Sequence, residues 1–425
     1  MSEIIVSVLA LTYNQVKYVE DMLIGFINQK TTFHVEYIIH DDASTDGTKE
    51  ILERYENEYP GFFTIIYEKE NQWSKGVKIT QEILLPKAKG KYIAFCEGDD
   101  YWIDKNKLQK QKDFLDNNPE YLCVAHDALM WHCKENWIRP QNTYDKSRCL
   151  TARDVIDRRF PSLATASKMH RRYALDLDPM FLNCGEVGDM PTDLYVFSKG
   201  KIFYLDEIMS VYRYKSEGSW SLRLDDSIYN LILWRGITIN FLKNYNDYTD
   251  YKYEKYVQIY MSRSVHNIVD KLLKNPISRE EFDMLLQKVR EDTYNKYDES
   301  LAEIQRIVYL LNFSYSRDNL IDKWGLEGKT IYIFGAKKYA GSLARLFDNY
   351  GIEYEAFVVA DVSDNPDTFM GKRVLALNEY AEIMQDHYAM VIGAGAVFWE
   401  EIESELKTKK ILNYIAPFLT HVGKG

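Results

Sequence analysis

Residues 91–102, Lys-Tyr-Ile-Ala-Phe-Cys-Glu-Gly-Asp-Asp-Tyr-Trp, decide how the first part of this chain folds. Residues 93–96 are a short apolar run of the kind that is buried on both faces of a parallel sheet, so they predict a strand. Three acids follow within four residues, Glu97, Asp99 and Asp100. Carboxylates this close at the end of a buried strand repel one another unless a cation lies among them. A divalent ion such as Mg²⁺ or Mn²⁺, bound also by substrate phosphates, is one solution, and a solvated acidic turn is the alternative.

The preceding segments repeat a pattern of strand followed by helix. Residues 4–11 predict a buried strand, and Val19, Met22, Leu23 and Phe26 follow it at helical spacing. Further strands are expected at 37–40 and 63–67, and further helices around 51–55 and 79–84. Such alternation predicts an α/β fold, with a parallel sheet covered by helices on both faces.

Polar residues follow three of these strands, at the ends where open α/β sheets bind ligands. They are Thr12-Tyr13-Asn14, Asp41-Asp42 and Glu97-Gly98-Asp99-Asp100. Asp42 could accept a hydrogen bond from a nucleobase, Tyr13 could lie against that base, and the acids at 97–100 could hold a metal on a diphosphate. These roles together fit a nucleotide-sugar. The alternative is that Asp42 caps a helix and Tyr13 belongs to the core.

These stretches resemble family 2 glycosyltransferases, which have the GT-A fold. Residues 6–14, 41–48 and 97–102 carry the resemblance, and the motifs within 89–111, including Lys-Leu-Gln-Lys-Gln at 107–111, are similar to a bacterial subgroup. The resemblance covers about residues 1–222. It implies a nucleotide-diphosphate sugar donor, expected to be a UDP-sugar, and Mn²⁺ or Mg²⁺ as cofactor.

The resemblance also assigns roles to single residues. Glu97-Gly98-Asp99 stands where the family has its Asp-x-Asp metal motif, with Glu in place of the first Asp. Asp99 is therefore the foremost implied metal ligand, with Glu97 and Asp100 beside it. Asp41 and Asp42 stand where the family contacts the nucleoside.

Residues 188–195, Gly-Asp-Met-Pro-Thr-Asp-Leu-Tyr, place an acid just ahead of a helix that starts at a proline. The ordinary role of such an acid is an N-cap. In the family that this chain resembles, an acid at this place is the general base of an inverting transfer. The resemblance therefore implies that Asp189 takes the proton from the acceptor hydroxyl, with Glu186 and Asp193 as alternatives.

Two stretches flank this candidate base in the sequence. Residues 165–172 are expected to form an ordinary strand. Residues 211–221 contain Arg213 and Lys215, where the family often shows Tyr-Arg-x-His on a loop that closes over the diphosphate. Lys215 replaces the His, so Arg213 and Lys215 are expected to face the phosphates. A solvated basic turn is the alternative.

The remaining half of the chain predicts two further regions. Apolar residues at helical spacing predict a helical segment over 223–325, and strand–helix alternation predicts a small Rossmann-like α/β domain over 326–425. A dinucleotide site would need Gly at three places, and Lys337 and Ala340 occupy two of them beside Gly335. Assembly into a homo-oligomer or partner recognition is therefore the expected role of these regions.

Composition limits the class of protein. The chain of 425 residues has a formal net charge of −11, so nucleic acid is not an expected partner. No stretch approaches the ~20 apolar residues of a membrane span, and the five cysteines form no CxxC pair. A cytoplasmic enzyme is expected, at the inner face of the membrane if its saccharide acceptor is linked to a lipid.

Three hypotheses follow from the sequence. The first is a metal-dependent inverting glycosyltransferase of bacterial surface polysaccharide synthesis. The second is a sugar-phosphate nucleotidyltransferase, although Thr12-Tyr13-Asn14 is not the Gly-rich basic loop which that class needs. The third is a non-catalytic protein that binds nucleotide-sugars.

Overall fold

The computed structural model describes residues 3–142, 146–157, 163–184, 189–224, 227–309, 320–322, 324–363, 365–379, 387–393, 399–409, 411 and 414–415. The chain divides into two compact units, Met1–Asp226 and Ser227–Gly425. The predicted three-part division, with boundaries at 222 and 325, stays a prediction.

The described part of the first unit forms a ten-stranded sheet. Its strands are β1 (Ile4–Thr12), β2 (His34–Asp41), β3 (Phe63–Tyr67), β4 (Tyr92–Glu97), β5 (Tyr101–Trp102), β6 (Tyr121–His132), β7 (Trp137–Pro140), β8 (Arg148–Cys149), β9 (Met169–Arg171) and β10 (Lys201–Tyr214). The strand order is β3-β2-β1-β4-β9-β6-β10-β5, with β7 beside β6 and β8 beside β10. The four predicted strands are β1 to β4, and all four are parallel.

Beyond β4 the sheet of the first unit is mixed. The expectation of a wholly parallel sheet is therefore wrong for this part. β9 is antiparallel to both of its neighbours, β4 and β6. The expected strand over 165–172 is shorter than predicted: Thr165–Ser167 forms a 3₁₀ turn and only Met169–Arg171 pairs in the sheet.

Helices cover the sheet of the first unit. They are α1 (Val19–Ile27), α2 (Thr48–Glu58), α3 (Leu85–Lys87), α4 (Lys107–Asn117), α5 (Ala152–Asp157), α6 (Pro179–Leu182), α7 (Asp189–Lys199) and α8 (Trp220–Leu224). Shorter 3₁₀ turns are Trp73–Lys75, Thr165–Ser167 and Arg172–Leu175, and Ile79–Leu84 is a π-helical turn.

Side chains of β1 and β4 alternate between two hydrophobic clusters, one on each face of the sheet. Val8 and Ala94 belong to the cluster that contains α1, whereas Leu9 and Ile93 belong to the cluster around Ile79–Leu84. Full burial of such an aliphatic side chain contributes ~1.5–3 kcal/mol, so the two central strands form a rigid base for the residues at their ends.

Where the structure describes it, the second unit has four long helices and a smaller sheet. The helices are α9 (Ile228–Tyr248), α10 (Glu254–Lys274), α11 (Arg279–Asp292) and α12 (Asp298–Val308). The strands are β11 (Thr330–Phe334), β12 (Ala356–Val359), β13 (Thr368–Phe369), β14 (Lys372–Ala376), β15 (Tyr388–Ile392) and β16 (Tyr414–Ile415), with α13 (Lys338–Tyr350) and α14 (Trp399–Thr408) between them.

The small sheet confirms the predicted Rossmann-like domain. Its strand order is β13-β14-β12-β11-β15-β16, and every pair except β13 with β14 is parallel. Gly335 follows β11 with a φ of 106°, and a Cβ there would lie 3.0 Å from the carbonyl oxygen of Gly393. Glycine is required at this turn by its packing. In the parts of the chain that the structure describes, no helix is both long and apolar enough to cross a bilayer.

Candidate functional site

The polar ends of β1, β2 and β4 meet at one edge of the sheet. Thr12 lies opposite Asp41 in the register of β1 and β2, and Leu11 lies opposite Glu97 in the register of β1 and β4. The hydroxyl of Thr12 donates to Asp41 Oδ1 at 3.1 Å, and the hydroxyl of Ser44 donates to the same oxygen at 2.6 Å. Asp41 is buried, so its carboxylate ties β1 to the loop after β2.

Asp42 organises the next loop. Its Oδ1 accepts the main-chain N–H of Gln72 at 2.7 Å, and its Oδ2 accepts that of Trp73 at 3.1 Å. The carboxylate of Asp42 is buried, while the side chain of Trp73 is 57% exposed beside it. The structure thus gives Asp42 a role in ordering this loop, and its contact with a nucleobase stays a prediction. The sequence around Trp73 does not predict the hydrogen bonds from Gln72 and Trp73 to Asp42.

Tyr13 presents its ring to solvent beside these loops. The side chain is 48% exposed, so the alternative of a core tyrosine is wrong. Asn14 follows with a φ of 51°, and its Oδ1 accepts the N–H of Thr45 at 2.8 Å. The left-handed backbone of Asn14 and this hydrogen bond fix the loop that carries Tyr13.

Glycine is required between the acids that end β4. A Cβ on Gly98 would lie 2.1 Å from Gln15 Oε1 and 2.7 Å from Thr12 Cγ2. Only a residue without a side chain lets the end of β4 approach β1 this closely. Glu97 and Asp99 remain partly exposed on either side of Gly98, whereas Asp100 is buried.

The three acids hold their protons more tightly than they would in water. Burial raises the pKa of Glu97 to about 8, and the charges of Asp189 and Asp99 contribute to the rise. Burial also raises the pKa of Asp99, and burial with the charges of Asp99 and Glu97 raises the pKa of Asp100 well above its usual value. Ionising all three is therefore unfavourable, and a bound divalent cation would relieve this repulsion.

Arg213 forms part of the frame behind the acids. Its main-chain N–H donates to Asp100 Oδ1 at 2.8 Å, and its Nη1 donates to the carbonyl oxygen of Asp99 at 2.9 Å. Its Nη2 donates to Asp21 on α1, and its guanidinium lies 4.5 Å from the ring centroid of Tyr101. Arg213 is only 4% exposed, so it stabilises the acidic turn from within.

The turn after β10 reaches Asp99 through a residue that the sequence did not single out. Ser216 is buried, and its hydroxyl donates to Asp99 Oδ2 at 2.8 Å. Lys215 just before it has a φ of 58°, and its N–H donates to Ser221 Oγ at 2.9 Å. This left-handed residue turns the chain so that Ser216 faces the acids. The ammonium of Lys215 lies 5.4 Å from the ring centroid of Tyr214.

Asp189 lies next to the acidic turn. It is the first residue of α7, and its Oδ1 accepts the hydroxyl of Thr165 at 2.8 Å. Burial and then the charge of Asp189 raise the pKa of Glu97, so the carboxyl groups of Asp189 and Glu97 lie near each other. The candidate base is therefore tied to the 3₁₀ turn that packs against β4, the strand that ends in the candidate metal ligands. Of the alternatives, Asp193 forms a buried ion pair with Lys168, and Glu186 lies outside the described residues.

A divalent cation fits this site only with help from a ligand. Among the described residues, no three His, Cys, Asp or Glu side chains form a ready-made metal site. Glu97 and Asp99 are the partly exposed carboxylates, while Asp100 is buried with Oδ1 bonded to the main chain of Arg213. Two carboxylates completed by the oxygens of a diphosphate match the way that Mg²⁺ is usually bound in enzymes.

Comparison with known proteins agrees with this geometry. Residues 7–177 match the profile of glycosyl transferase family 2. The chain is 36% identical to the uncharacterized protein Rv1520 of Mycobacterium tuberculosis over 221 residues, which are 50% of this chain and 60% of that protein. This match spans less than two thirds of the length of the relative.

Two further relatives carry names that describe an activity. The putative teichuronic acid biosynthesis glycosyltransferase TuaG of Bacillus subtilis is 39% identical over 111 residues, 26% of this chain and 42% of TuaG. The UDP-Glc:alpha-D-GlcNAc-diphosphoundecaprenol beta-1,3-glucosyltransferase WfaP of Escherichia coli is 33% identical over 122 residues, 29% of this chain and 45% of WfaP.

The family match covers β1, β2 and β4 with the acids at their ends, and it agrees with the resemblance seen in the sequence. The first unit of this chain therefore contains a glycosyltransferase domain of family 2, built on a GT-A-like α/β sheet.

Proposed function

We propose that this chain transfers a sugar from a nucleotide-diphosphate donor, a UDP-sugar, to a hydroxyl acceptor with inversion at the anomeric carbon. The reaction serves the synthesis of a bacterial surface polysaccharide. The observation that carries the proposal is the bond from Thr165 to Asp189, because Thr165 lies on the 3₁₀ turn that packs against β4, the strand that ends at Glu97. A general base and a site for the departing diphosphate would therefore lie next to each other.

The donor end of the site is formed by the ends of β1, β2 and β4. Tyr13 is exposed and available to lie against the base, and the buried carboxylates of Asp41 and Asp42 hold the two loops on either side. Thr12 and Asn14 support the same loops through their hydrogen bonds. These residues would orient the nucleoside before the sugar is transferred.

The diphosphate is proposed to lie at the acidic turn. Glu97 and Asp99 would hold Mn²⁺ or Mg²⁺, which when bound neutralises the negative charge of the leaving nucleotide. Lys215 is proposed to add a positive charge at the diphosphate. Arg213 is buried and donates to the carbonyl oxygen of Asp99, so we propose that it holds the acidic turn in place from behind the diphosphate.

The acceptor is proposed to approach Asp189. Its carboxylate would take the proton of the acceptor hydroxyl as that oxygen attacks the anomeric carbon from the face opposite the leaving group. A saccharide or a lipid-linked saccharide is the proposed acceptor, because the name of WfaP describes such an acceptor for that relative. A lipid-linked acceptor would place this cytoplasmic enzyme at the inner face of the membrane. The second unit is proposed to serve assembly.

The test uses the full-length chain with UDP-, GDP- and dTDP-sugars, in Mn²⁺ or in EDTA. We expect Mn²⁺-dependent release of the nucleotide diphosphate from one donor class, with water taking the sugar in place of the saccharide acceptor. Asp189→Asn should lower this turnover by about 10²- to 10⁴-fold and keep the affinity for UDP with Mn²⁺. Asp99→Asn should lose Mn²⁺-dependent UDP binding itself.

Asp113→Asn is the matched control, because Asp113 lies on the surface of α4 with its side chain 49% exposed. It should behave as the wild type does. Wild-type turnover by either purified site variant would contradict the proposal, and so would the lack of turnover by the wild type on every donor.

A further inference from the structure

The 3₁₀ turn Thr165–Ser167 is tied to the start of α7 at two points. The Thr165 hydroxyl donates to Asp189 Oδ1 at 2.8 Å, and Lys168 Nζ donates to both carboxylate oxygens of Asp193 at 2.9 and 2.8 Å. The donors are three residues apart on the turn segment, and the acceptors are four residues apart on the helix. Residues four apart lie on the same face of a helix, so both ties fasten one face of α7 to this turn.

The turn is itself held by a buried network from two other elements. The indole N–H of Trp102 donates to the carbonyl oxygen of Ala166 at 3.0 Å. The amide of Gln111 donates to the carbonyl oxygens of Ser167 at 2.8 Å and of Val124 at 3.1 Å. Lys107 Nζ donates to Gln111 Oε1 at 2.7 Å, which leaves the NH₂ end of the amide for those two carbonyls.

Three members of this network, Trp102, Lys107 and Gln111, belong to the motifs that resemble the glycosyltransferase family. Trp102, Lys107, Gln111 and Ser167 are all buried. Hydrogen bonds between buried polar groups hold the groups that form them in fixed positions. These hydrogen bonds hold the 3₁₀ turn, and with it the Thr165 hydroxyl, in place between β4 and α7.

We propose that Thr165 is a positioning residue for transfer: its hydroxyl holds the carboxylate of Asp189 in the orientation that accepts the acceptor's proton. An acid at the start of a helix can otherwise rotate to cap the main chain of its own helix. The hydrogen bond that Thr165 donates to Asp189 instead favours the rotamer of Asp189 that points toward the 3₁₀ turn. The inference rests on the proposed function, because it assigns Thr165 a part in that same reaction.

The comparison that tests this uses Thr165→Val, which keeps the shape of the side chain and removes the hydroxyl, and Thr165→Ser, which keeps the hydroxyl. Loss of orientation should lower kcat about 10- to 100-fold in Thr165→Val. The KM for the donor and the Kd for UDP with Mn²⁺, measured by calorimetry, should stay within about twofold, since Thr165 acts on the base. Thr165→Ser should return kcat to within about threefold of the wild type.

Thr64→Val is the matched control, because Thr64 lies on β3 with its side chain exposed and outside the site. It should leave kcat and KM unchanged. If Thr165→Val does not fold by circular dichroism, Thr165→Ala against Thr165→Ser gives the same comparison with two smaller side chains.

A wild-type kcat in Thr165→Val would overturn the inference and leave the proposed function standing. Equal losses in Thr165→Val and Thr165→Ser, or a parallel loss of UDP affinity, would also overturn it, because both mark a structural role. A wild-type protein that turns over no donor would overturn the proposed function and this inference together.

Discussion

The buried ion pair of Lys168 and Asp193 ties α7 to the segment after the 3₁₀ turn, and removal of one partner tests how much this tie stabilises the fold. Both side chains are almost completely buried, at 3% and 4% exposure. Burial lowers the pKa of Lys168, but the charges of Asp193 and Asp189 outweigh it and hold that pKa above its usual value. Lys168→Met keeps the length of the side chain and leaves the carboxylate of Asp193 buried without its cation.

Removing one partner of a buried ion pair costs about 3–5 kcal/mol, because the remaining charge loses its compensation. For a unit of the size of Met1–Asp226, each kcal/mol shifts the midpoint of thermal unfolding by about 2–4 °C. We therefore expect Lys168→Met to lower the Tm of the first unit by ~6–20 °C.

Replacing both partners should restore most of this stability. A buried ion pair exchanged for apolar residues of similar volume is often neutral, so Lys168→Met with Asp193→Leu should unfold close to the wild type. The control is Lys49→Met: Lys49 pairs with Glu53 at 3.6 Å on the exposed face of α2, and loss of such a pair costs less than ~1 kcal/mol.

The assay is differential scanning calorimetry of the full-length chain, followed at the transition of the first unit. A Tm of Lys168→Met within ~3 °C of the wild type would mean that the pair is not buried in the folded protein. A double variant as unstable as the single one would mean that the loss does not come from the charge left on Asp193.

Two further predictions concern the buried cations. Burial lowers the pKa of Lys107 to about 7, so between pH 7 and 10.5 the unfolded chain holds a proton that the native chain has released. The free energy of unfolding should therefore gain up to ~1.4 kcal/mol per pH unit in that window. Denaturation at pH 7.5 and 8.5 should show this gain in the wild type and not in Lys107→Met, and equal slopes would contradict the assignment. Arg213→Lys keeps the charge but loses the planar contact with Tyr101 and the donors that reach Asp99 and Asp21. It should weaken UDP binding with Mn²⁺ about tenfold in calorimetry, and unchanged binding would show that the acidic turn needs no such support.

The edge of the sheet could be predicted from the sequence because local patterns determine it. The apolar run before Glu97 is buried on both faces of the sheet, and parallel pairing then forces the ends of β1, β2 and β4 together. Tyr13 and Asp99 lie at the strand ends where the sequence pattern predicts them, and both are at least partly exposed. Their roles with a ligand stay predictions.

The partners of these residues could not be predicted because they depend on contacts between distant segments. Asp42 is bonded to main-chain groups of Gln72 and Trp73, which no side-chain pattern marks. Arg213 is enclosed by aromatic rings from separate elements, including Tyr18 at 5.0 Å and Trp131 at 5.5 Å. A basic residue near an acidic strand end gives the same sequence pattern whether it faces phosphate or packs behind the acids.

The two hydroxyls at the site were missed for different reasons. Ser216 reaches Asp99 only because Lys215 adopts a left-handed φ, which is rare for lysine and carries no sequence signal. Thr165 was expected in a strand, and its 3₁₀ turn is imposed by hydrogen bonds from Trp102 and Gln111. Asp189 was predicted as a site residue only from the family resemblance. The residue pattern alone does not indicate that Asp189 lies near Glu97.

A cation held under the donor diphosphate by Glu97 and Asp99 should face Asp189. Crystals of the chain grown with UDP and Mn²⁺, measured at the manganese absorption edge, would locate this cation. We expect one strong anomalous peak at metal–ligand distance, ~2.0–2.3 Å, from a carboxylate oxygen of Asp99, on the side of the turn where Asp189 lies. Bound UDP with its manganese at another part of the chain, or with no manganese at Asp99, would mean that these carboxylates do not hold the metal.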